Sequence, residues 1–161
     1  GQLRNRYYWT NIPDVTMPNN KNIKLNDILV DGWSDREKAR CLLESESRPL
    51  TTPLKMFHRY FSTVFTTLIF KSEQHYKDCA EHYKENFNGL SAKEIDIKLK
   101  SEDINLTTYD GVRYLYQSEL EELQTVPKGY TSILDRNSAA GLLGDGWTVD
   151  VIAHILSFMR F

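Results

Sequence analysis

The sequence predicts an α+β fold, and three observations carry the prediction. Residues 6–12 alternate aromatic with polar side chains and residues 62–70 are rich in β-branched and aromatic ones, which are strand patterns. Residues 72–100 contain two capped segments with apolar residues at helical spacing. Residues 148–160 are helical in spacing but apolar on almost every side.

In chain order, Arg6 to Ile12 sets Tyr7 and Trp9 against Tyr8 and Thr10, as in a strand with both faces covered, and Pro13 ends it. Asp14 to Asn22, preceded by Pro13 and containing Pro18 and several Asn, reads as a loop. Ile23 to Val30 predicts a short helical turn entered at Asn26 and closed by Asp31-Gly32. Ser62 to Phe70 predicts a strand. Ser72 caps a helix whose stripe is Tyr76, Ala80, Tyr83 and Phe87, and Asn88-Gly89 stops it. Leu90, Ser91, Glu94 and Ile95 form a capping box with a hydrophobic staple, starting a helix that runs to about Lys100. Ser118 to Glu121 resembles a capping box that opens a shorter helix with Leu120 and Leu123 on one side, ended by Pro127 and Gly129. The last helix, Thr148 to Arg160, expects protein on most sides.

A chain of 161 residues suits one ordinary domain and is short for a two-domain cofactor enzyme. No apolar run approaches a membrane span and no signal segment opens the chain, so a cytoplasmic protein with no membrane partner is expected. Two cysteines are too few for a disulfide framework. The net charge of −2 argues against a protein that coats nucleic acid, but the charge is unevenly spread. Residues 47–72 hold no acid alongside Arg48, Lys55, Arg59 and Lys71, and residues 1–13 carry Arg4 and Arg6 with no acid. Residues 73–103 carry eight acids against five lysines, so one surface can meet phosphates while another repels them.

Several chemistries lack their motifs. His75, Cys79 and His82 share one helical face, but no fourth ligand stands at a familiar spacing, and no metal is expected. Neither Cys41 nor Cys79 lies on a Gly- or Pro-rich turn that would expose a thiolate. The sequence has no GxGxxG, P-loop or GxSxG string.

Three other strings occur in a fixed order. Gln2-Leu3-Arg4-Asn5-Arg6 has the form QxRxR. Arg113, Leu115, Glu119, Leu123, Gln124 and Pro127 have the form RxLxxxExxxLQxxP. Gly144-Asp145-Gly146-Trp147-Thr148-Val149 is similar to G-N-x-x-x-V before a helix. In this order, and separated by about a hundred residues of unrelated text, they resemble motifs VIII, IX and X of the DNA cytosine carbon-5 methyltransferases, with residues 123–131 closest to bacterial and phage members. The family places its variable target-recognition region between motifs VIII and IX.

The resemblance implies residues 1–13 as the motif VIII strand, 14–112 as the target-recognition region, and 113–161 as motifs IX and X with the terminal helix. The fold it implies is a small mixed recognition domain plus elements that belong with a Rossmann-like catalytic domain not in this chain. Such enzymes flip the target cytosine out of the duplex. Arg4 and Arg6 would line its pocket, where a guanidinium keeps its charge in a desolvated cleft. Gln2, Arg113, Glu119, Gln124 and Pro127 would be structural. Residues Gly144, Asp145, Gly146, Trp147, Thr148 and Val149 would rim the S-adenosylmethionine site once the catalytic half is present, with Asp145 replacing the usual Asn. Tyr116 replaces the family's helix-capping Thr, which suggests a cap shifted to Ser118. Arg48, Lys55, Arg59 and Lys71 are the expected contacts to double-stranded DNA. The family's glycine-rich loop, Pro-Cys loop and Glu-Asn-Val strand precede motif VIII. Without them the chain is expected to be a fragment, the second polypeptide of a split enzyme, or a non-catalytic DNA-binding remnant, the first two favoured by Gly1.

Overall fold

In the computed structural model, residues 2–42, 53–63 and 66–160 are described. They are mostly helical: α1 (Pro53–His58), α2 (Glu73–Phe87), α3 (Ala92–Ser101), α4 (Gln117–Gln124), α5 (Arg136–Asp145) and α6 (Val149–Leu156). A π-helical turn, Arg59–Thr63, continues α1, and a 3-10 turn spans Thr107–Tyr109. Strand pairing among the described residues is limited to three isolated bridges, so the mixed fold holds far less sheet than the sequence predicts. No helix is long and apolar enough to cross a membrane. The chain divides into two compact units, Gly1–Val30 with Glu37–Pro49 and Leu115–Phe161, and Asp31–Arg36 with Leu50–Tyr114.

The second unit is built on an aromatic core. Phe57, Tyr60, Phe70, Tyr83, Phe87 and Tyr109 are all buried, joined by Leu54, Leu68 and Ile95. The α2 boundaries follow from local chemistry. The Ser72 hydroxyl accepts from the His75 N–H, and Asn88 ends the helix before Gly89 turns the chain at φ +77°. Ser91 and Glu94 form the expected capping box of α3.

The strand expected over Ser62–Phe70 is not formed. Its first residues lie in the π turn, residues 64–65 fall outside the described residues, and only Ile69 and Phe70 pair, with Arg113 and Trp33. Burial of Phe57, Tyr60 and Phe70 on one core outweighs the strand propensity of the segment. The Trp33 pairing depends on Gly32, whose φ is +84° and where a Cβ would stand 2.6 Å from the Phe70 carbonyl oxygen. Gly32→Ala is expected to cost about 2 kcal/mol, through a left-handed backbone and a clash with main chain that cannot yield. Urea unfolding of the variant checks it.

In the first unit, α4 packs on α5. The shared core is Leu120, Leu123, Ala139, Ala140 and Leu143, and the turn over residues 26–28 adds the buried Leu25. Sequence reasoning missed α5, although Asp135 caps it by accepting from the Asn137 and Ser138 N–H groups. Helix α4 starts two residues earlier than the shifted cap implied: Tyr116, not Ser118, is the N-cap residue, and the Glu119 carboxylate accepts from its N–H at 2.7 Å. The carboxylate half of a capping box thus suffices where the side chain at the cap position is a phenol. Residues 6–12 form no strand. After the Gln2↔Ala39 bridge the chain finds no pairing partner among the described residues, and Tyr7 and Trp9 are 87% and 90% exposed. Helix α6 ends at Leu156, short of Arg160, and buries none of its residues.

Candidate functional site

The three motif strings meet in the first unit, and Gln124 is where they meet. Its side chain is 1% exposed at the end of α4, and both ends of its amide are used. The Nε2 group donates to the Leu143 carbonyl of α5. The Oε1 atom accepts from Gln2 Nε2 at 3.1 Å and from the Thr148 hydroxyl at 3.2 Å. Gln2 Nε2 also donates to the Leu123 carbonyl at 2.7 Å. A primary amide donates from its nitrogen and accepts at its oxygen, so glutamine serves both kinds of partner at this buried point.

Arg4 makes the second tie. Its Nη2 donates to the Gly144 carbonyl at 3.0 Å and to the Gly146 carbonyl at 2.6 Å, and its Nη1 to Cys41 Sγ at 3.4 Å. These bonds hold the last turn of α5 and the bend that follows. Gly144 is buried inside α5, Asp145 is its exposed last residue, and Gly146 caps it. Trp147 is 57% exposed and Val149 is exposed at the start of α6. Arg6 is exposed and makes no hydrogen bond among the described residues. The structure therefore separates the two arginines of QxRxR: Arg4 is spent on backbone carbonyls, and Arg6 faces solvent.

Beside this hub lies a cleft of about 650 Å³, lined by Gln2, Arg4, Lys21, Lys38, Glu122, Thr148, Asp150 and His154 among others. Its outer wall is the loop after Pro13, tied to α6 and the residues after it by polar contacts: Lys21 pairs with Asp150, His154 Nε2 donates to the Thr16 carbonyl, and Arg160 reaches Asp14.

Helix α4 carries two buried carboxylates that organise the neighbouring loops. Glu119 accepts from the Val30 and Tyr116 N–H groups, at 2.8 and 2.7 Å. Glu121, expected as the acid of a capping box with Ser118, instead accepts from the N–H groups of Gly129 and Thr131 and from the Thr131 hydroxyl. Burial pushes the Glu121 carboxyl up, but these hydrogen bonds outweigh it and hold it below the usual carboxylate range. The ionised form is favoured in the fold, so its stabilisation is complete above the ordinary glutamate value and fades as pH falls through the lowered one. Glu121→Gln is expected to cost about 2 kcal/mol at neutral pH, with the gap to the unaltered chain closing in acid. Unfolding curves across pH test this.

The residues around Glu121 explain the rest of the motif. Gln117 donates to the Thr131 carbonyl and hydroxyl, and Arg136 Nε donates to the Leu115 carbonyl at 3.1 Å. Pro127 opens the turn that presents Gly129 and Thr131 to Glu121, its own carbonyl accepting from the Tyr130 N–H. Arg136 carried no sequence signal and Glu121 only that of a capping box with Ser118, because their importance lies in what they reach across the fold.

In the second unit, Arg113 grips Asp31, its Nε and Nη2 donating to Oδ1 at 3.0 and 2.7 Å and Nη2 also to the Asp31 carbonyl. Of the expected DNA contacts, Arg48 lies outside the described residues. Lys55 is exposed on α1, and Arg59 is half-buried at the start of the π turn. Lys71 is exposed, its stem crossing Gly111 where no Cβ intervenes. The face shared by His75, Cys79 and His82 is committed to hydrogen bonds. His75 Nδ1 accepts from the Lys71 N–H and Nε2 donates to the Thr108 carbonyl, Cys79 Sγ donates to the same carbonyl, and His82 pairs with the Tyr109 hydroxyl. Burial and the neighbouring Asp78 charge push the Cys79 thiol up to about 11. Among the described residues no group of three or more His, Cys, Asp or Glu side chains is placed to hold a metal ion.

Compared with family models, curated protein sequences and solved structures, the chain gives no match.

Proposed function

We propose that this chain is the target-recognition and C-terminal part of a DNA cytosine carbon-5 methyltransferase, acting on duplex DNA beside a catalytic half that supplies the thiolate and most of the cofactor pocket. One observation carries the reading. Gln2 and Arg4 of the first string, Leu123 and Gln124 of the second, and Gly144, Gly146 and Thr148 of the third share one hydrogen-bonded hub, although Gln2 and Leu123 lie 121 positions apart. Strings matched by chance have no physical reason to converge on a single buried amide. The apolar helix α6, with no buried residue, and the exposed Tyr7 and Trp9 add support, because a catalytic sheet would cover such surface.

Toward S-adenosylmethionine the chain offers a rim. The exposed Asp145 carboxylate suits a cationic or hydroxyl-bearing part of the cofactor, and the open face of Trp147 suits a ring or a sulfonium. Bound there, the cofactor supplies the methyl group. This chain's part is to hold the rim by Arg4 and to read the DNA.

The test is reconstitution. Mixed with a catalytic half carrying motifs I to VII, the chain is expected to restore methyl transfer to duplex DNA, measured with labelled S-adenosylmethionine. A folded mixture with no transfer overturns the proposal. Arg4 favours a second reading, a non-catalytic DNA-binding module of the same ancestry, because its two Nη groups already donate to Gly144, Gly146 and Cys41. That module would be retained on duplex DNA in a salt-dependent way, with no gain from added cofactor.

A further inference from the structure

We infer that Arg36 reads a guanine in the major groove of duplex DNA, an inference that rests on the DNA-recognition role proposed above. Arg36 belongs to the Asp31–Arg36 segment of the second unit, where its guanidinium carbon stands 4.8 Å from the centroid of the Tyr60 ring. Tyr60 is itself held fast. Its hydroxyl donates to Asp35, and its ring meets Phe61 and Phe70 edge to face, at 5.0 and 5.7 Å. The guanidinium therefore lies over a buried ring whose own position is fixed. The Arg36 N–H is tied as well, donating to the Ser34 hydroxyl at 3.3 Å.

What distinguishes Arg36 is that its guanidinium is seated over a ring with its donors unspent, whereas Arg6, also unspent, faces open solvent. Arg4 and Arg136 donate to carbonyls, and Arg113 to a carboxylate and carbonyls. The Arg36 Nε is buried without a partner, and among the described residues its guanidinium makes no hydrogen bond or ion pair. Buried N–H groups normally find an acceptor within the fold. A guanidinium seated on a fixed ring, with its donors unpaired among the described residues, suits a planar pair of acceptors.

Two such pairs occur on DNA, the phosphate oxygens and the N7 and O6 atoms of guanine. Asp35 decides between them. Its exposed carboxylate bears on the same Tyr60 hydroxyl as Arg36, so an incoming phosphate would meet a like charge. A base edge carries no such charge, and the amino group of the paired cytosine is a donor that a carboxylate accepts.

The experiment selects duplexes from a randomised pool with the 161-residue chain. The unaltered chain is expected to enrich a site with an invariant G·C pair. Arg36→Lys, which keeps charge and stem, and Arg36→Gln should both lose that pair alone, with about tenfold weaker binding to the original site. Replacing that guanine by 7-deazaguanine, which lacks the N7 acceptor, should weaken the unaltered chain about tenfold and leave both variants unchanged. If 7-deazaguanine at every guanine of the site leaves the unaltered chain's binding intact, the assignment is overturned whatever the variants do. Equal weakening on all sequences would make Arg36 a phosphate contact and overturn base reading. If the unaltered chain is retained on no duplex, the DNA-recognition role falls, and this inference falls with it.

Discussion

Replacing Gln124 by alanine is expected to cost about 3–5 kcal/mol of folding free energy, the sum of a lost buried side chain and the polar groups it leaves behind. The Leu143 carbonyl loses its donor, and the Gln2 amide and Thr148 hydroxyl lose a shared acceptor. At 1% exposure the site admits little water to replace those partners. The effect should appear as a fall of about 10 °C in the thermal midpoint. Gln124→Glu would be no milder, because it turns the donor facing Leu143 into a second acceptor and buries a charge. A Gln124→Ala variant as stable as the unaltered chain would show that the hub does not hold the three strings together.

Arg4 carries the second large effect. Arg4→Met keeps the apolar stem but removes the donors to Gly144 and Gly146, and a loss of about 2–4 kcal/mol is expected from two charge-assisted bonds. The bend between α5 and α6 is the proposed cofactor rim, so methyl transfer in a reconstituted mixture should drop by about a hundredfold, equivalent to about 2.7 kcal/mol. Simple retention on duplex DNA should weaken only modestly. Arg6→Ala is the control within the same motif. Exposed and without a hydrogen bond among the described residues, Arg6 should leave stability unchanged, so a loss of transfer there would report on DNA or the target base alone.

The parts of the fold legible in the sequence are those set by a few neighbouring residues. Ser72, Ser91 with Glu94, and Asn88-Gly89 mark helix ends because capping is satisfied within one turn of chain. Strands were less legible for the opposite reason. The alternation of Tyr7, Tyr8, Trp9 and Thr10 is a strand pattern, but a strand exists only when a second segment completes its ladder, and none of the described residues does so. Helix α5 went unread because its run of Ala, Gly and Leu is weakly amphipathic, and its cap, Asp135, sits in a loop like many other Asp residues.

The site divides along the same line. The sequence by itself determined which residues matter as a set, since Gln2, Arg4, Gln124 and the Gly144–Val149 string stand out by motif. It could not say what each does. Arg4 and Arg6 are equivalent in the string, yet one is tied to two carbonyls and the other faces solvent. Arg36 carries no motif at all, and Glu121 stands out only as the expected acid of a capping box with Ser118. Their roles were decided only by the tertiary structure, because a carboxylate that gathers a loop and a guanidinium left open on a fixed ring are defined by partners distant in the chain. Capping is paid for locally and can be read locally. Burial and hydrogen-bond satisfaction depend on which distant segments fold together, and those only the folded chain brings side by side.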